Sequence, residues 1–371
     1  MYNVVFITHL PSFYKVNLYE RLATTLGVKF HVIYCGKSSV IRSFDFTRST
    51  DLFSHQYLSD DHFESRNIII TSFRLISFLL CKRPCLVFVN GWDLTEFFLS
   101  LLYSLIYRKK LVVQVEGSDS YPVFRPAVVT ISKHLTNFYK SLFLQLPSAI
   151  LFSSQRGKRY YQSLFSRFAY KAKVINGVGI STIEMATLSV QKLNLTGNSS
   201  CRFLGVSRYS TEKNIISVLH AFASRPNYSY CHYGDGLHES DLEATFMPGI
   251  GNISLNNSIA NFSLPKLFTN YHCLILASNF EAWGLVAEEA NICGLPCILS
   301  SASGYGEWSK SVGINIVIDS TDSAAILEAL DTFYAKRSCI ISGPILRDLV
   351  VQKNNLQIKS YRDLILSANV R

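Results

Sequence analysis

Short apolar runs alternate with longer amphipathic segments through most of the chain. The runs are rich in β-branched and aromatic residues, as buried strands of parallel sheets are, and the segments between them repeat apolar residues at helical spacing. The strand candidates are VVFIT from Val4, VKFHVIYC from Val28, CLVFVN from Cys85, KLVVQVEG from Lys110 and SAILFSS from Ser148, then CRFLGVS, YSYCHYG, NISLNN, CLILAS and PCILSS in the second half. This order predicts an α/β protein with doubly wound sheets that bind ligands at the carboxyl ends of their strands.

The length of the chain and a polar stretch in its middle predict two domains. With 371 residues, 48% apolar and 17% charged, the chain can bury two cores, and it has no low-complexity tract. Residues 181–200 are polar and aperiodic, which is typical of a linker. We therefore expect Rossmann-like domains at 1–180 and 201–354, followed by a periodic helical tail at 355–371.

The excess positive charge lies entirely in the first half. Residues 1–180 hold 22 Lys and Arg against 10 Asp and Glu, whereas residues 181–371 hold 14 against 16. Such a half attracts anions, which include nucleic acid, an anionic lipid surface and a phosphorylated acceptor. The alternative interpretation is a basic surface that serves only solubility.

The cysteines predict neither a metal site nor a disulfide framework. Nine are scattered through strand-like runs, without a Cys-x-x-Cys motif or a paired Cys/His cluster. No secretory signal precedes the first strand, so we expect reduced thiols in a cytosolic protein. The apolar run FFLSLLYSLIY at 97–107 is too short to span a bilayer. It predicts either a helix packed on the sheet or one that helps to seat the domain on a membrane.

The stretch 278–301 reads as a loop, a helix and a strand in that order. Glu281 and Gly284 lie in the loop, and Gly294 and Pro296 follow the helical run as residues that end a helix. A helix start beside a glycine offers backbone N–H groups and the positive end of the helix dipole. This combination suits a phosphate.

Two carboxylates in this stretch are placed to hold one ligand. Seven residues separate Glu281 in the loop from Glu289 on the second helical turn. Glu288 points about 100° away from its neighbour, so only one of the two can face the site. The alternative is a surface helix with acidic residues in its first turns, where the dipole favours them.

The same stretch resembles the donor-site signature of family-4 glycosyltransferases of the GT-B fold. The residues in register are Glu281, Gly284, Leu285, Glu289, Ala290, Gly294, Leu295 and Pro296. Upstream, RFLGVSRYSTEKNIISVLHAF resembles the family's strand, loop and helix, with Arg208 and Lys213 placed on the donor diphosphate. The resemblance implies two Rossmann-like domains facing a central cleft, an acceptor on the first, a donor on the second, and a tail at 355–371 that returns toward the first.

The resemblance also implies a chemistry, which is the retaining transfer of a sugar from a UDP- or GDP-sugar. Arg208 and Lys213 would stabilise the departing diphosphate, Glu281 would lie against the donor sugar, and Glu289 would hold the ribose. The other implied donor contacts are Gly234, Asp235, Gly236, Leu255, Trp283, Gly284, Leu285 and Val286. No Asp-x-Asp motif occurs, which agrees with a reaction that uses neither a metal ion nor another cofactor.

We expect the acceptor on the basic half, where His9, Lys15, Glu116 and Asp119 follow predicted strands. A glycan linked to a polyprenyl diphosphate fits the charge and the many aromatic residues better than nucleic acid does. This predicts a peripheral protein on the inner face of the cytoplasmic membrane that builds a surface polysaccharide such as O-antigen, lipopolysaccharide or capsule. The alternatives are a GT-B epimerase or phosphorylase, and a non-catalytic subunit of a polysaccharide-assembly complex.

Overall fold

The computed structural model describes residues 3–26, 29–40, 51–117, 133–181, 201–236, 251–336 and 343–369. The chain divides into two compact units. Unit 1 comprises Met1–Ile180 with Asn355–Arg371, and unit 2 comprises Ser181–Asn354. Apart from Ser181, the predicted linker lies outside the described residues.

Unit 1 contains a parallel sheet with helices between its strands. Its elements are β1 (Val4–Thr8), α1 (Phe13–Leu26), β2 (Phe30–Tyr34), β3 (Ser54–Tyr57), α2 (Ile68–Lys82), β4 (Leu86–Val89), α3 (Thr95–Ile106), β5 (Lys110–Val115), α4 (Lys133–Gln145), β6 (Ala149–Phe152), α5 (Gln155–Leu164) and β7 (Ala172–Val174). The strand order is β3-β2-β1-β4-β5-β6-β7. The strand order of a doubly wound sheet is therefore present, as the alternation of apolar runs predicts.

Both faces of this sheet are covered by apolar packing. Successive side chains of a strand point to opposite faces, and Val5 belongs to one buried cluster whereas Phe6 belongs to another. The second cluster also includes Ile358 and Tyr361 from the end of the chain. This explains why the central strands β1 and β4 are largely apolar rather than alternating.

The run at 97–107 forms α3, which packs on the sheet. Phe97 is fully buried and Leu101 is 2% exposed, whereas Ile106 near the helix end is 71% exposed. Helix α2 and strand β3 were not predicted from the sequence. Neither has a clean core-facing pattern, because β3 is SHQY and α2 is apolar on most of its circumference.

Unit 2 repeats the arrangement around a second parallel sheet. Its elements are β8 (Cys201–Val206), α6 (Ile215–Ala223), β9 (Tyr228–Tyr233), β10 (Ile253–Asn256), α7 (Leu264–Phe268), β11 (Cys273–Leu276), α8 (Leu285–Ile292), β12 (Cys297–Ser300), α9 (Gly304–Val312), β13 (Ile316–Ile318), α10 (Ser323–Lys336) and α11 (Gly343–Asn369). The strand order is β10-β9-β8-β11-β12-β13. The predicted α/β class with two Rossmann-like sheets is thus confirmed.

The loop, helix and strand predicted for 278–301 are present as α8 and β12 with the loop before them. Gly294 ends α8 in the left-handed conformation, with φ of 86°. The helix predicted for the tail begins earlier than expected, at Gly343, and residues 355–369 of α11 group with unit 1. Within the described ranges, no helix combines the length and the apolar composition needed to cross a bilayer.

Candidate functional site

The strand order of unit 2 has a topological switch point between β8 and β11. The first strand in sequence, β8, lies between β9 and β11, so the direction of winding changes there. Loops leaving neighbouring strands at such a switch point separate and open a crevice in which doubly wound sheets bind ligands. The loop after β8 carries Arg208 and Lys213, and the loop after β11 carries Glu281 and Gly284.

Lys213 and Glu281 form an ion pair across this switch point. The Lys213 ammonium donates to the Glu281 carboxylate, and the two side chains are only 13% and 19% exposed. Backbone bonds fix the loops around them: Asn279 N–H donates to the Glu212 carbonyl at 2.9 Å, and Gly304 N–H donates to the Glu281 carbonyl at 3.3 Å. The fold therefore brings together two residues that the sequence assigns to one site.

Arg208 lies in the same loop as Lys213 but is 48% exposed. Its Nη2 lies 3.3 Å from Oε1 of Glu212, which also accepts a hydrogen bond from Ser210 Oγ at 2.7 Å. Burial raises the pKa of Glu212, but the Ser210 bond and the charges of Arg208 and Lys213 outweigh it and lower the pKa below its usual value. Glu212, which sequence reasoning missed, thus orients a guanidinium that stays accessible to an anion.

Residues 234–236 follow β9 and pack against the Arg208 loop. Tyr209 N–H donates to the Asp235 carbonyl at 2.7 Å. A Cβ at Gly234 would lie 2.0 Å from the Ser207 carbonyl oxygen, so any larger residue would push the two loops apart. The predicted glycine turn therefore holds the Arg208 loop close to the strand ends.

Leu255, another predicted donor contact, lies on β10. Its side chain packs against the core of unit 2, and its backbone is paired with His232 on β9. The His232 ring bonds to the Tyr230 hydroxyl at 2.7 Å and to the Ser207 carbonyl at 3.0 Å. Burial lowers the pKa of His232 to about 4, so the ring is neutral near pH 7. These buried contacts hold Ser207 in place, directly before Arg208.

Helix α8 begins at Gly284 in a conformation that favours glycine. Gly284 has φ of 102°, and a Cβ there would also lie 2.9 Å from a methyl group of Leu276. The turn lets the helix start directly at Leu285. Ala287 N–H donates to the Gly284 carbonyl at 3.1 Å, and the N–H groups of Leu285 and Val286 precede this first backbone bond of the helix. Leu285 and Val286 are partly buried on this turn. Their backbone lies where an anion is favoured by the helix dipole.

Glu289 is buried on the second turn of α8, with 2% of its surface exposed. Its Oε1 accepts hydrogen bonds from Ser181 Oγ at 3.0 Å and from Asn261 Nδ2 at 2.9 Å. Sequence reasoning missed both partners. The polar loop that follows β10 was the sequence feature that could have indicated Asn261 as a site residue.

Glu288 has different partners from Glu289, as expected for neighbours on a helix. Lys353 Nζ, from α11, lies 3.0 Å from Glu288 Oε2, and the Trp283 indole N–H donates to the same oxygen at 2.6 Å. The Lys353 ammonium lies 5.0 Å from the centre of the Trp283 ring. Burial lowers the pKa of Lys353, against the opposing effect of the Glu288 carboxylate.

The side chain of Trp283, a predicted donor contact, is buried within unit 2. Trp283 is 1% exposed, and its ring packs edge-on against Tyr305 with 5.6 Å between centroids. An indole combines a large apolar surface with one N–H donor, and the buried Glu288 carboxylate accepts a hydrogen bond from that N–H group. Trp283 therefore anchors the loop that carries Glu281.

In unit 1 the direction of winding changes between β1 and β4. His9 follows β1, and its Nε2 lies 3.0 Å from Oδ2 of Asp93 in the loop after β4. The His9 ring packs edge-on against Phe97 with 5.0 Å between centroids. The two polar side chains are 32% and 56% exposed, so a ligand can reach them.

Lys15 and Glu116 form a second polar pair at the same edge. The Lys15 ammonium, 2% exposed, pairs with the Glu116 carboxylate, which is 29% exposed. The Asn90 amide donates to Glu116 at 3.3 Å and to Thr8 Oγ1 at 3.2 Å. Burial lowers the pKa of Lys15, although the Glu116 charge raises it. Asp119, the fourth predicted acceptor residue, lies outside the described residues.

Metal-ligating and thiol side chains are dispersed in the part of the chain that the structure describes. No three His, Cys, Asp or Glu side chains are grouped there as a metal ion would need. The described cysteines are free thiols, and most of them are buried. Burial raises the pKa of Cys273 well above its usual value, so this thiol stays protonated and inert.

Comparison with known sequences points to one family. Residues 195–341 match the family model of the glycosyl transferases group 1. A relative described as an uncharacterized 41.2 kDa protein in the cps region of Klebsiella pneumoniae is 20% identical over 274 residues, which cover 66% of this chain and 75% of the relative. The family match includes every predicted donor residue and confirms the resemblance found in the sequence.

Comparison with solved structures identifies the architecture. Anabaena Alr3699/HepE in complex with UDP is 14% identical with a TM-score of 0.71, and the alignment covers 99% of this chain and 100% of that one. The apo form of WaaB, a lipopolysaccharide outer core galactosyltransferase, is 14% identical with a TM-score of 0.69, and the coverage is 98% and 99%. Structural similarity at 14% sequence identity shows a shared fold. The predicted GT-B fold is therefore confirmed.

Proposed function

We propose that this chain, which carries a group 1 glycosyltransferase domain on a GT-B fold, transfers a sugar from a nucleoside-diphosphate donor to a glycan acceptor. The observation that carries the proposal is the Lys213–Glu281 ion pair at the switch point of the second sheet, in the loops that precede α6 and α8. A structural neighbour with this fold binds UDP. A nucleoside diphosphate suits a site that offers cations and helix N–H groups.

The proposed chemistry follows from the charge that the reaction moves. When the bond between the sugar and the diphosphate breaks, negative charge grows on the departing diphosphate. Lys213 and the exposed Arg208 bind that charge together with the first-turn N–H groups of α8. Because Lys213 then pairs with phosphate, Glu281 is released to contact the donor sugar.

We further propose that the sugar keeps its anomeric configuration and that no metal ion takes part. The second point rests on the two cations and the helix start, which together can neutralise a leaving diphosphate. The partly buried setting of Lys213 strengthens its interaction with phosphate, since little water screens the charge. Stereochemistry is read from the configuration of the product by NMR.

The proposal is tested by donor binding followed by acceptor-dependent turnover. In thermal-shift measurements against a panel of UDP- and GDP-sugars, we expect one nucleotide class to raise the melting temperature. Nucleoside diphosphate should then be released when a lipid-linked glycan acceptor is added. A panel in which no nucleotide or nucleotide sugar stabilises the protein would contradict the proposal. Stable binding without turnover on any acceptor would favour a non-catalytic subunit.

Glu289→Gln is expected to raise the Michaelis constant for the donor more than it lowers turnover. Ribose hydroxyls contact the carboxylate equally before and during the reaction, so their loss removes uniform binding. Glutamine keeps the shape of the side chain and can still accept from Ser181 and Asn261, which should preserve the fold. Steady-state kinetics with varied donor check this. Collapsed turnover with an unchanged Michaelis constant would assign the chemical role to Glu289 instead.

We propose a glycan on a polyprenyl diphosphate as the acceptor and unit 1 as its binding domain. His9, Lys15 and Glu116 lie at the ligand-binding edge of the first sheet. Residues 1–180 carry 22 Lys and Arg against 10 Asp and Glu, which attracts a phosphorylated lipid. The cps-region relative and the lipopolysaccharide galactosyltransferase support synthesis of a surface polysaccharide. We propose that this synthesis takes place at the inner face of the cytoplasmic membrane.

A further inference from the structure

A cavity opens between two helices of unit 1, α1 and the second half of α11. Both helices pack on the same face of the first sheet, α1 through Val16 and Leu22 and α11 through Ile358 and Tyr361. The cavity between them has a volume of about 490 Å³. Cavities that hold small molecules measure about 300 to 1,000 Å³, so this one is large enough for a ligand.

The lining of the cavity is mostly polar and repeats at helical spacing on both helices. The polar residues that line it are Arg21, Thr24 and Thr25 on α1 and Asn355, Lys359 and Arg362 on α11. Residues three, four or seven positions apart share one side of a helix, so each helix turns one continuous side to the cavity. Half of these polar residues are cations.

Two of the cations have no partner among the described residues. Lys359 and Arg362 make no ion pair and no side-chain hydrogen bond there, and Nε of Arg362 is buried without an acceptor. By contrast, the half-buried Lys171 of the same unit donates to the Pro147 carbonyl at 2.7 Å. Buried N–H groups are nearly always bonded in native proteins. Lys359 and Arg362 therefore suit an anionic acceptor held in the cavity.

Among the described residues, no acidic side chain lines the cavity. Glu20 and Asp363 directly adjoin Arg21 and Arg362 in sequence. Neighbours on a helix point about 100° apart, so these carboxylates lie on other sides of their helices. The three cations therefore give the cavity a positive potential. Phosphate suits such a set, because a guanidinium group can donate to two phosphate oxygens at once.

Two threonine hydroxyls place a second requirement on the ligand. Thr24 Oγ1 and Thr25 Oγ1 both donate to the Arg21 carbonyl, at 3.0 and 2.6 Å. Their hydrogens are therefore used, and the oxygens keep lone pairs that accept hydrogen bonds from a ligand. Ile358, which also lines the cavity, is apolar and 5% exposed. A ligand that complements all of these groups carries a phosphate, hydroxyl groups and some C–H surface.

We propose that the cavity between α1 and α11 binds a sugar phosphate. The phosphate contacts Lys359 and Arg362, and hydroxyl groups of the sugar donate to Thr24 and Thr25. The C–H groups of the sugar ring pack against Ile358. The ligand thereby links α1 to α11 on one face of the first sheet.

The cavity is separate from the residues proposed for sugar transfer. Helix α1 begins at Phe13, shortly after the sheet edge where His9 pairs with Asp93. From Phe13 to Thr25 the helix rises about 18 Å at 1.5 Å per residue, so the cavity lies toward the opposite edge of the sheet. The inference therefore goes beyond the proposed function and does not depend on it.

The test is isothermal titration calorimetry of the full chain with glucose 6-phosphate, inorganic phosphate and glucose. We expect glucose 6-phosphate to bind more tightly than inorganic phosphate, and glucose not to bind. Arg362→Gln should weaken binding of glucose 6-phosphate about tenfold, because a bond to a charged group is lost. Lys359→Gln should cost about threefold, since the exposed ammonium is partly screened by water. Glutamine is a good helix former, so both variants should melt as wild type without ligand.

Thr24→Val/Thr25→Val should separate recognition of the sugar from recognition of the phosphate. These changes keep the size of each side chain and remove its hydroxyl. We expect about fivefold weaker binding of glucose 6-phosphate and unchanged binding of inorganic phosphate. The matched control is Arg159→Gln/Lys173→Gln, which removes one Arg and one Lys that are exposed elsewhere on unit 1. It should bind both ligands as wild type.

Three results would overturn the proposal. The first is wild-type affinity in Lys359→Gln/Arg362→Gln, which would place the ligand elsewhere. The second is wild-type protein that does not bind glucose 6-phosphate, or binds it no more tightly than inorganic phosphate. The third is an equal loss in Arg159→Gln/Lys173→Gln, which would show only a general attraction of anions. Stabilisation by nucleotide sugars should be equal in all variants, so failure of this site is distinguished from failure of the proposed transferase activity.

Discussion

Replacing Lys213 with Ala is expected to lower kcat/KM by roughly 10- to 150-fold while the protein stays folded, since losing a bond to a charged group costs about 1.5 to 3 kcal/mol. The Lys213 ammonium is 13% exposed beside Glu281, so water cannot fully replace it. The charge on the diphosphate grows as the sugar departs, and the loss should therefore appear in kcat more than in KM. Steady-state kinetics with varied donor measure both.

The matched control is Lys310→Ala in the same unit. Lys310 pairs with Asp319 at 2.8 Å, but the two side chains are 56% and 71% exposed, and such pairs contribute little. We expect wild-type kinetics and a wild-type melting temperature from this variant. Wild-type turnover in Lys213→Ala would contradict the proposed role of Lys213 in binding the diphosphate. A lowered melting temperature in Lys213→Ala alone would mean that the ion pair with Glu281 serves the fold.

The relative placement of the proposed donor residues could be predicted in part, because some of it is encoded locally. Glu281, Gly284 and Glu289 lie within one loop and two helical turns, so their spacing fixes their relative positions. Gly294 ends the helix with φ of 86°, as the sequence predicts. Arg208 and Lys213 were assigned to the same site by the family resemblance, and they follow β8, which the structure places next to β11.

Contacts between distant segments could not be predicted. Ser181 bonds to Glu289 across 108 positions of the chain, and Lys353 bonds to Glu288 across 65. The burial of Trp283 could not be predicted for the same reason. Its neighbours in sequence suggest a ligand contact, but a buried carboxylate that accepts its N–H decides where the ring lies.

The exposed face of α2 was missed because periodicity does not tell which side of an apolar helix faces the core. Helix α2 has apolar residues on most of its circumference, and the run at 97–107 is at least as apolar. Only the packing distinguishes them: α3 buries Phe97 and Leu101, whereas α2 leaves Ile69 and Phe73 in solvent. The charge asymmetry of the two halves, by contrast, can be read from the sequence without a structure.

Lys353→Met is expected to lower the free energy of unfolding by about 3 to 5 kcal/mol, because it leaves a buried charge without its partner. Glu288 is fully buried, and its Oε1 has no hydrogen-bond donor among the described residues. Without the ammonium, the Trp283 indole N–H is the remaining donor to Glu288 Oε2 among the described residues. Glu288→Leu should also be destabilising, since it removes the carboxylate that pairs with the Lys353 ammonium, which is 2% exposed.

The double variant Lys353→Met/Glu288→Leu separates a buried charge from lost packing. An apolar pair of similar volume often replaces a buried ion pair with little loss, so the double variant should be more stable than either single one. Urea unfolding of the four proteins gives the coupling energy. Single effects that simply add in the double variant would show that the ion pair is not the source of stability.

The Trp283 anchor also leads us to expect a raised donor Michaelis constant in both single variants, because this residue directly precedes Gly284 at the start of α8.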